Sequence, residues 1–168
     1  MKKISKNLQK KISKIKLIIT DVDGVLTDGG MYYSKNGEEF KKFHTRDGMG
    51  IELLAKAGIG TIFMTKEKSI IVKKRAKKVK AMDCYLGIED KKSMLEPICK
   101  KFNVQKYEIA YIGDDVNDAE IIKQVGFSSS PHDAIDEIFK SVDYVSHFNG
   151  GCGVLRDVAD LVLMYKKI

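Results

Sequence analysis

The chain has 168 residues, of which 43% are hydrophobic and 32% charged, and it carries a net charge of +7. Such a chain is long enough to bury a core, and it contains no apolar run near the roughly 18 residues that a membrane span requires. Its three scattered cysteines fit neither a disulfide framework nor a zinc knuckle. We therefore expect one globular domain over residues 1–168, in the reducing environment of the cytoplasm.

The positive charge is concentrated at the start of the chain. Residues 1–16 hold seven lysines and no acid, which leaves 23 basic and 23 acidic residues in the remainder. Helical spacing of the apolar residues predicts a basic leading helix that docks through one stripe. A helix that binds nucleic acid or a membrane surface is the alternative, but no aromatic RNA-binding motif supports it. We expect neither partner. The stripe consists of Ile4, Leu8, Ile12 and Ile15.

Strands and helices alternate along the rest of the chain. The run LIIT at 17–20 has the length and β-branched content of a buried strand. Asn36-Gly37 predicts the turn of a β-hairpin that projects over residues 30–43. The alternation predicts an α/β fold with a Rossmann-like parallel sheet and helices on both faces. Further strands are predicted at 61–64, 84–86, 109–112, 125–128 and 144–145, and helices at 47–58, 67–79, 91–102, 117–124, 131–140 and 153–166.

Two aspartates follow the first predicted strand. Asp21 and Asp23 are separated by one residue, and Gly24 then frees the backbone to turn. Two carboxylates at the end of a buried strand repel each other and are costly to remove from water. A chain seldom places them there unless a cation or a reaction uses them. This pair is therefore the first candidate for chemistry.

Other polar residues follow the neighbouring strands. Ligands bind outside the carboxyl ends of the strands in an open parallel sheet, so Thr65, Lys91 and Asp114 are expected near the pair. Lys92 is the alternative to Lys91, but the spacing to Gly87 and Asp90 favours Lys91. Carboxylates from Asp21 and Asp114 suit a hard cation, most plausibly Mg²⁺. A hydroxyl and an ammonium complement a phosphate dianion. The set predicts phosphoryl transfer, with a carboxylate nucleophile and Asp23 as the group that moves the proton.

The order of these motifs resembles that of a known family. DVDGVLTDG, a lone Thr after a strand, a Lys at a helix start and GDDVND are similar to the motifs of the haloacid dehalogenase superfamily of phosphatases. With FHTRDGMGI and NGGCGVLRDVADLVL added, nearly the whole chain from about residue 10 resembles the 3-deoxy-D-manno-octulosonate 8-phosphate phosphatases. Relatives of those enzymes act on nine-carbon sialic-acid-type 9-phosphates. The resemblance implies a fold without a cap domain.

The resemblance also implies a role for each motif residue. Asp21 matches the nucleophile and a magnesium ligand. Asp23 matches the general acid and base, and it binds the metal through its backbone carbonyl. Asp114 matches the third protein ligand, and Thr65 and Lys91 match the residues that hold the phosphoryl oxygens. Substrate contacts are expected from Thr45, Arg46, Asp47, Gly48, Lys66 and Asn117, and support behind the metal ligands from Asp115 and Asp118.

The choice of sugar stays open at this point. The octulosonate enzymes usually carry Thr/Ser-Gly-Arg where this chain has Thr65-Lys66-Glu67-Lys68. Glu67-Lys68 resembles the nine-carbon branch, whereas Arg46-Asp47 resembles the octulosonate branch. The substrate is thus an octulosonate 8-phosphate of lipopolysaccharide biosynthesis or a nine-carbon 9-phosphate of sialic-acid biosynthesis. A non-catalytic assembly module is a further alternative, although such a relative would be expected to have lost catalytic residues.

The lack of a cap domain bears on oligomeric state. This chemistry benefits from excluding water, and only the hairpin over 30–43 and a few loops could cover the site. Family members close it by forming a homotetramer, in which hairpins and a neighbour's C-terminal segment meet. The resemblance therefore implies a homotetramer with a small-molecule substrate. The aromatic hairpin residues Tyr32, Tyr33, Phe40 and Phe43 fit such a contact.

Overall fold

The computed structural model describes residues 4–166, and within them a six-stranded sheet forms the centre of the fold. Its strands run in the order β5-β4-β1-β6-β7-β8, and all are parallel. A separate antiparallel pair, β2-β3, forms the hairpin. In chain order the strands are β1 (Leu17–Thr20), β2 (Tyr32–Ser34), β3 (Gly37–Phe40), β4 (Gly60–Thr65), β5 (Asp83–Leu86), β6 (Ile109–Ile112), β7 (Phe127–Ser130) and β8 (Tyr144–Val145).

Helices cover both faces of the sheet, which confirms the predicted architecture. Side chains of β1 alternate between the faces, so that Ile18 enters one core and Leu17 and Ile19 enter the other. Helices α1, α2, α3 and α7 pack on the first face, and α4, α5 and α6 on the second. No helix of the described residues could span a membrane. The helices are α1 (Lys6–Ile12), α2 (Thr45–Lys56), α3 (Ile70–Lys78), α4 (Leu95–Phe102), α5 (Ala119–Ile122), α6 (Asp136–Phe139) and α7 (Val154–Tyr165).

The basic leading segment forms only a short helix in the described chain. Of the predicted span 1–16, residues 1–3 lie outside the described range, and α1 begins after Ser5, whose hydroxyl accepts a hydrogen bond from the Leu8 backbone. Ile12 and Ile15 are fully buried, while Ile4 and Leu8 pack partly buried against the same core. The stripe therefore docks α1 against the domain.

Two predicted helices are reduced to a single α-helical turn each. The segment predicted over 117–124 is a 3-10 turn (Val116–Asp118) followed by the single turn of α5. The segment predicted over 131–140 is helical only in α6, because its first residues hydrogen-bond to distant loops. The Ile135 backbone N–H donates to the Asp114 carbonyl at 3.1 Å, and that of His132 donates to the Phe148 carbonyl at 3.0 Å. Contacts between loops thus replace the predicted helical turns.

The strand predicted at 125–128 begins two residues later, as β7. The backbone N–H of Gly126 donates to the carbonyls of Lys106 and Ile109, which lie outside the β7 ladder. A Cβ at Gly126 would stand 2.0 Å from the Tyr107 carbonyl oxygen, so only glycine permits this approach. The close contact holds residue 126 out of the sheet, and the strand starts after it.

The hairpin is shifted by one residue from its predicted turn. Ser34 pairs with Gly37, so the two-residue loop is Lys35-Asn36, not Asn36-Gly37. Gly37 is the first residue of β3 and has a φ of +107°, which glycine adopts without strain. The register shifts between Tyr32 and Tyr33, as in a β-bulge. The glycine therefore opens the second strand of the hairpin instead of completing the turn.

The start of α7 is held by a carboxylate from α2. One Asp47 oxygen accepts a hydrogen bond at 2.9 Å from the backbone N–H of Arg156, in the first turn of α7. Such N–H groups lack partners inside their own helix. The second Asp47 oxygen is buried and meets no hydrogen-bond partner among residues 4–166. Burial raises the pKa of Asp47 to about 6. Asp47 was predicted to contact substrate, but its carboxylate supports α7.

Replacing Asp47 with asparagine should alter how stability depends on pH. Because the folded pKa lies above the unfolded one, the contribution of Asp47 to the free energy of unfolding falls as pH rises through about 4 to 6. The variant loses this dependence, so its stability relative to wild type should rise by about 2 kcal/mol between pH 4.5 and 7.5. Urea unfolding at both values measures the difference, and the titration of other acids cancels. A constant difference would contradict the interpretation; the exposed Asp160→Asn change is the control.

Candidate active site

The site is built at the carboxyl ends of three adjacent strands. Asp21 directly follows β1, Thr65 is the last residue of β4, and Asp114 follows β6. The Asp21 backbone N–H donates to the Ile112 carbonyl at 2.9 Å, which continues the ladder and fixes the start of the loop. Because β1 lies between β4 and β6, all three side chains come to the same edge of the sheet, as the sequence predicts.

A buried lysine links two of the acids. The Lys91 side chain has no exposed area, and its Nζ lies 3.0 Å from Asp21 Oδ2 and 2.6 Å from Asp118 Oδ1. Burial alone would lower the pKa of Lys91, but the two carboxylates outweigh it and raise that pKa above its ordinary value. The site therefore contains a fixed ammonium between two carboxylates. Lys92, the other lysine at this position in the sequence, is half-exposed and lies 3.5 Å from Glu120.

Asp118 organises the loop after β6. It is fully buried, and its Oδ1 accepts hydrogen bonds from Lys91 Nζ and from the Tyr111 hydroxyl, each at 2.6 Å. Its Oδ2 accepts the backbone N–H of Asp114 at 2.9 Å and that of Asp115 at 3.4 Å. Both oxygens are therefore engaged by donors. Asp118, predicted to support the metal ligands, thus contacts the backbone of Asp114; Tyr111 was missed because it lies inside an apolar strand.

Replacing Tyr111 with phenylalanine should test how much Asp118 depends on its donors. The ring is fully buried, so phenylalanine keeps the packing and removes only the hydroxyl. Loss of one donor to a buried carboxylate should lower the free energy of unfolding by about 1–3 kcal/mol. Chemical denaturation measures it, with the exposed Tyr107→Phe change as the control. Equal effects of the two changes would show that the hydroxyl contributes nothing.

Asp21 and Asp114 form a strained acidic pair. Oxygens of Asp21, Asp114 and Asp118 all lie within 4.8 Å of one another. Burial, followed by repulsion from Asp118, raises the pKa of Asp21 to about 7, and burial with repulsion from Asp21 raises the pKa of Asp114 to about 8. Asp114 Oδ1 is buried without a hydrogen-bond partner in the described chain. Since donors already engage Asp118, Asp21 and Asp114 are the carboxylates that fit a hard divalent cation.

The second aspartate of the motif faces the hairpin. Asp23 Oδ2 accepts a hydrogen bond from the Thr65 hydroxyl at 3.1 Å, and Lys41 Nζ lies 2.6 Å from Asp23 Oδ1. Thr65 Oγ1 in turn accepts the backbone N–H of Glu67 at 3.1 Å. Lys41 was not predicted from the sequence, where it is one of two adjacent lysines in a charged segment. The hairpin thus reaches the site through a buried side chain.

The other predicted substrate residues lie around this centre. Thr45 and Arg46 are exposed at the start of α2, where a side chain at Gly48 would crowd Arg75. Asn117 is exposed in the loop after β6. Lys66 forms an exposed ion pair with Glu89, and Asp115 caps its own 3-10 turn by accepting the Val116 N–H. None of these residues joins the buried cluster in the described structure.

The chain is similar to a group of known phosphatases. A model of the haloacid dehalogenase-like hydrolases matches residues 78–156. The 3-deoxy-D-manno-octulosonate 8-phosphate phosphatase of Salmonella typhi is 35% identical over 161 residues, which cover 96% of this chain and 86% of that enzyme. The corresponding crystal structure from Yersinia pestis has a TM-score of 0.94 and 33% identity, and covers 97% of this chain and 88% of the other.

A third relative was solved with ligands. The phosphatase of the same name from Moraxella catarrhalis, crystallised with a magnesium ion, a phosphate ion and KDO, has a TM-score of 0.91. It is 33% identical, and the alignment covers 95% of this chain and 91% of that one. These comparisons confirm the predicted fold and the predicted family resemblance.

Proposed function

The chain belongs to the 3-deoxy-D-manno-octulosonate 8-phosphate phosphatases, a family of haloacid dehalogenase-like hydrolases, and we propose that it hydrolyses the phosphate monoester of a 2-keto-3-deoxy sugar acid with the help of Mg²⁺. The observation that carries the proposal is the meeting of Asp21, Lys91 and Asp114 at one edge of the sheet, beside the contact between Asp23 and Thr65. This set holds a nucleophile, a proton carrier and donors for a phosphate.

Asp21 is the proposed nucleophile. A carboxylate oxygen of Asp21 attacks phosphorus, the bond from phosphorus to the sugar oxygen breaks, and the phosphoryl group stays on Asp21 as an acyl phosphate. Lys91 lies 3.0 Å from Asp21 Oδ2, so its ammonium is placed to neutralise charge on the transferring phosphoryl oxygens. The Thr65 hydroxyl offers a further donor at the edge of the same site. The buried position of Asp21 limits access by competing water.

Asp23 is the proposed general acid and base. It gives a proton to the sugar oxygen as that oxygen leaves, and the carboxylate then takes a proton from the water that attacks the phosphorus. The second attack breaks the bond between phosphorus and Asp21, which releases inorganic phosphate and restores both carboxyl groups. Asp23 lies two residues from the nucleophile, so one short loop carries both groups.

Asp21 and Asp114 are the proposed side-chain ligands of Mg²⁺. The buried Asp114 oxygen that has no donor in the described chain supports this assignment, as does the mutual repulsion of the two acids. The bound ion supplies positive charge that offsets the repulsion between the carboxylates and a phosphate dianion. On the family pattern, the backbone carbonyl of Asp23 is proposed to bind the ion beside these two carboxylates.

Turnover assays test the proposal. Purified protein should release phosphate from octulosonate 8-phosphate in Mg²⁺ and lose this activity in EDTA. Nine-carbon 9-phosphates, assayed beside it, decide the chain length; the names of the relatives favour the eight-carbon acid. A folded, Mg²⁺-binding protein that hydrolyses neither these esters nor p-nitrophenyl phosphate would favour a non-catalytic assembly module.

We also propose that the protein works as a homotetramer, on the family pattern. The hairpin leaves Met31, Tyr33 and Phe40 half-exposed or more, and these apolar side chains suit a contact with another copy. Light scattering coupled to size exclusion should give a mass of four chains. A monomer at micromolar concentration would contradict this proposal without affecting the assignment of the phosphatase residues.

A further inference from the structure

The base of the hairpin sends a buried lysine into the site. Lys41 directly follows β3, and its side chain is only 2% exposed. Its Nζ lies 2.6 Å from Asp23 Oδ1 and 2.7 Å from Glu38 Oε1. The other Glu38 oxygen accepts a hydrogen bond from the Ser69 hydroxyl, which also caps α3. One chain of contacts therefore joins the loop after β1, the hairpin and the start of α3.

This burial is unlike that of the neighbouring lysine. Lys42 pairs with Asp28 at the surface, where its side chain is 61% exposed. A charge removed from water is costly unless its partners compensate, and Lys41 obtains this compensation from one hairpin acid and from Asp23. Stabilising the hairpin alone would not require an ion pair with Asp23. The contact points to a task in the site.

We infer that Lys41 is a positioning residue for Asp23, which sets where the proton-carrying carboxyl group lies. The inference rests on the proposed function, in which Asp23 protonates the leaving oxygen. Asp23 is held at both oxygens, by Lys41 at Oδ1 and by the Thr65 hydroxyl at Oδ2. This geometry fixes the rotation of the carboxyl group and ties it to the hairpin.

The two contacts differ in what a substrate does to them. The Thr65 hydroxyl can donate only one hydrogen bond. If it donates that bond to a phosphoryl oxygen of the substrate, it no longer donates to Asp23 Oδ2. The Lys41 ammonium has three N–H donors, so it keeps its hydrogen bond to Asp23 Oδ1. Asp23 Oδ2 then becomes the oxygen that is available to carry the proton to the leaving group. Lys41 thus selects which Asp23 oxygen takes part in the reaction.

Leaving-group dependence separates this role from a structural one. A sugar alkoxide needs a proton in order to leave, whereas p-nitrophenolate is a weak base that leaves without one. The ratio kcat/KM covers the steps up to departure of the leaving group, so it reports this proton transfer. Lys41→Met should lower kcat/KM by about 100-fold for octulosonate 8-phosphate, and by less than about 5-fold for p-nitrophenyl phosphate.

Two further variants make the test decisive. Lys42→Met, at the adjacent exposed lysine, should leave both values unchanged. Glu38→Gln keeps Lys41 and weakens its second anchor, so it should shift the ratio of the two kcat/KM values in the same direction by about 3-fold or more. Glu38→Gln therefore tests the inference even if the Lys41→Met protein does not fold. Equal losses on both esters would overturn the inference, whereas a wild-type protein inactive on both would overturn the proposed function itself.

Discussion

Replacing Lys91 with alanine is expected to lower the free energy of unfolding by about 3–5 kcal/mol and to abolish turnover. The change leaves Asp21 and Asp118 facing each other without the ammonium that lies within 3.0 Å of both. The ion pair itself adds little net stability relative to an apolar replacement, but removing one partner strands two buried charges. The decrease in the free energy of unfolding should therefore exceed the decrease expected from losing the packing of the lysine methylene groups alone.

The adjacent lysine is a matched control for this prediction. Lys92 is half-exposed and lies 3.5 Å from the Glu120 carboxylate, so Lys92→Ala should change stability by less than about 0.5 kcal/mol. Urea unfolding in EDTA compares the two variants without a contribution from metal. If Lys91→Ala and Lys92→Ala both lowered the free energy of unfolding by similar small amounts, the Asp21 and Asp118 carboxylates would not need Lys91.

The residues at strand ends were predictable because the signal is local. An apolar run followed by a polar residue marks the end of a buried strand, and parallel order then brings Asp21, Thr65 and Asp114 to one edge. The sequence placed a lysine near the same edge, at the start of the helix predicted after Gly87, and spacing favoured Lys91 over Lys92. The choice between Lys91 and Lys92 is visible in the structure as a difference in burial, 0% against 48% exposed.

The supporting contacts could not be predicted because each depends on a partner that the local sequence pattern does not show. Lys41 lies in a charged run that looks solvated, and Tyr111 lies in a strand where its ring suits the core. Each owes its position to a carboxylate elsewhere in the chain: Asp23 for Lys41, and Asp118 for Tyr111. The shortened helix α6 has the same cause, since hydrogen bonds between loops replaced local helical turns.

Replacing Asp21 with asparagine should have the largest effect on chemistry and the opposite effect on stability. Without the nucleophile, kcat/KM for any phosphate monoester should fall by about 10⁴-fold or more. In EDTA the same change should raise the melting temperature by several degrees, because it removes a buried carboxylate that is repelled by the Asp114 and Asp118 carboxylates. Asparagine can still accept a hydrogen bond from Lys91, so packing changes little.

Added Mg²⁺ should make the wild-type protein more stable than the Asp21→Asn variant, which is the reverse of the order expected in EDTA. The wild-type protein binds the ion through the repelling Asp21 and Asp114 carboxylates and gains stability by mass action, whereas the variant has lost one ligand charge. Melting curves in EDTA and in Mg²⁺ therefore give a readout that does not depend on activity. Glu137→Gln, a change at an exposed acid of α6 away from the site, should behave as wild type in both media. If the Asp21 variant were less stable than wild type in EDTA, the acids would not be in conflict, and the argument for a cation between them would fail.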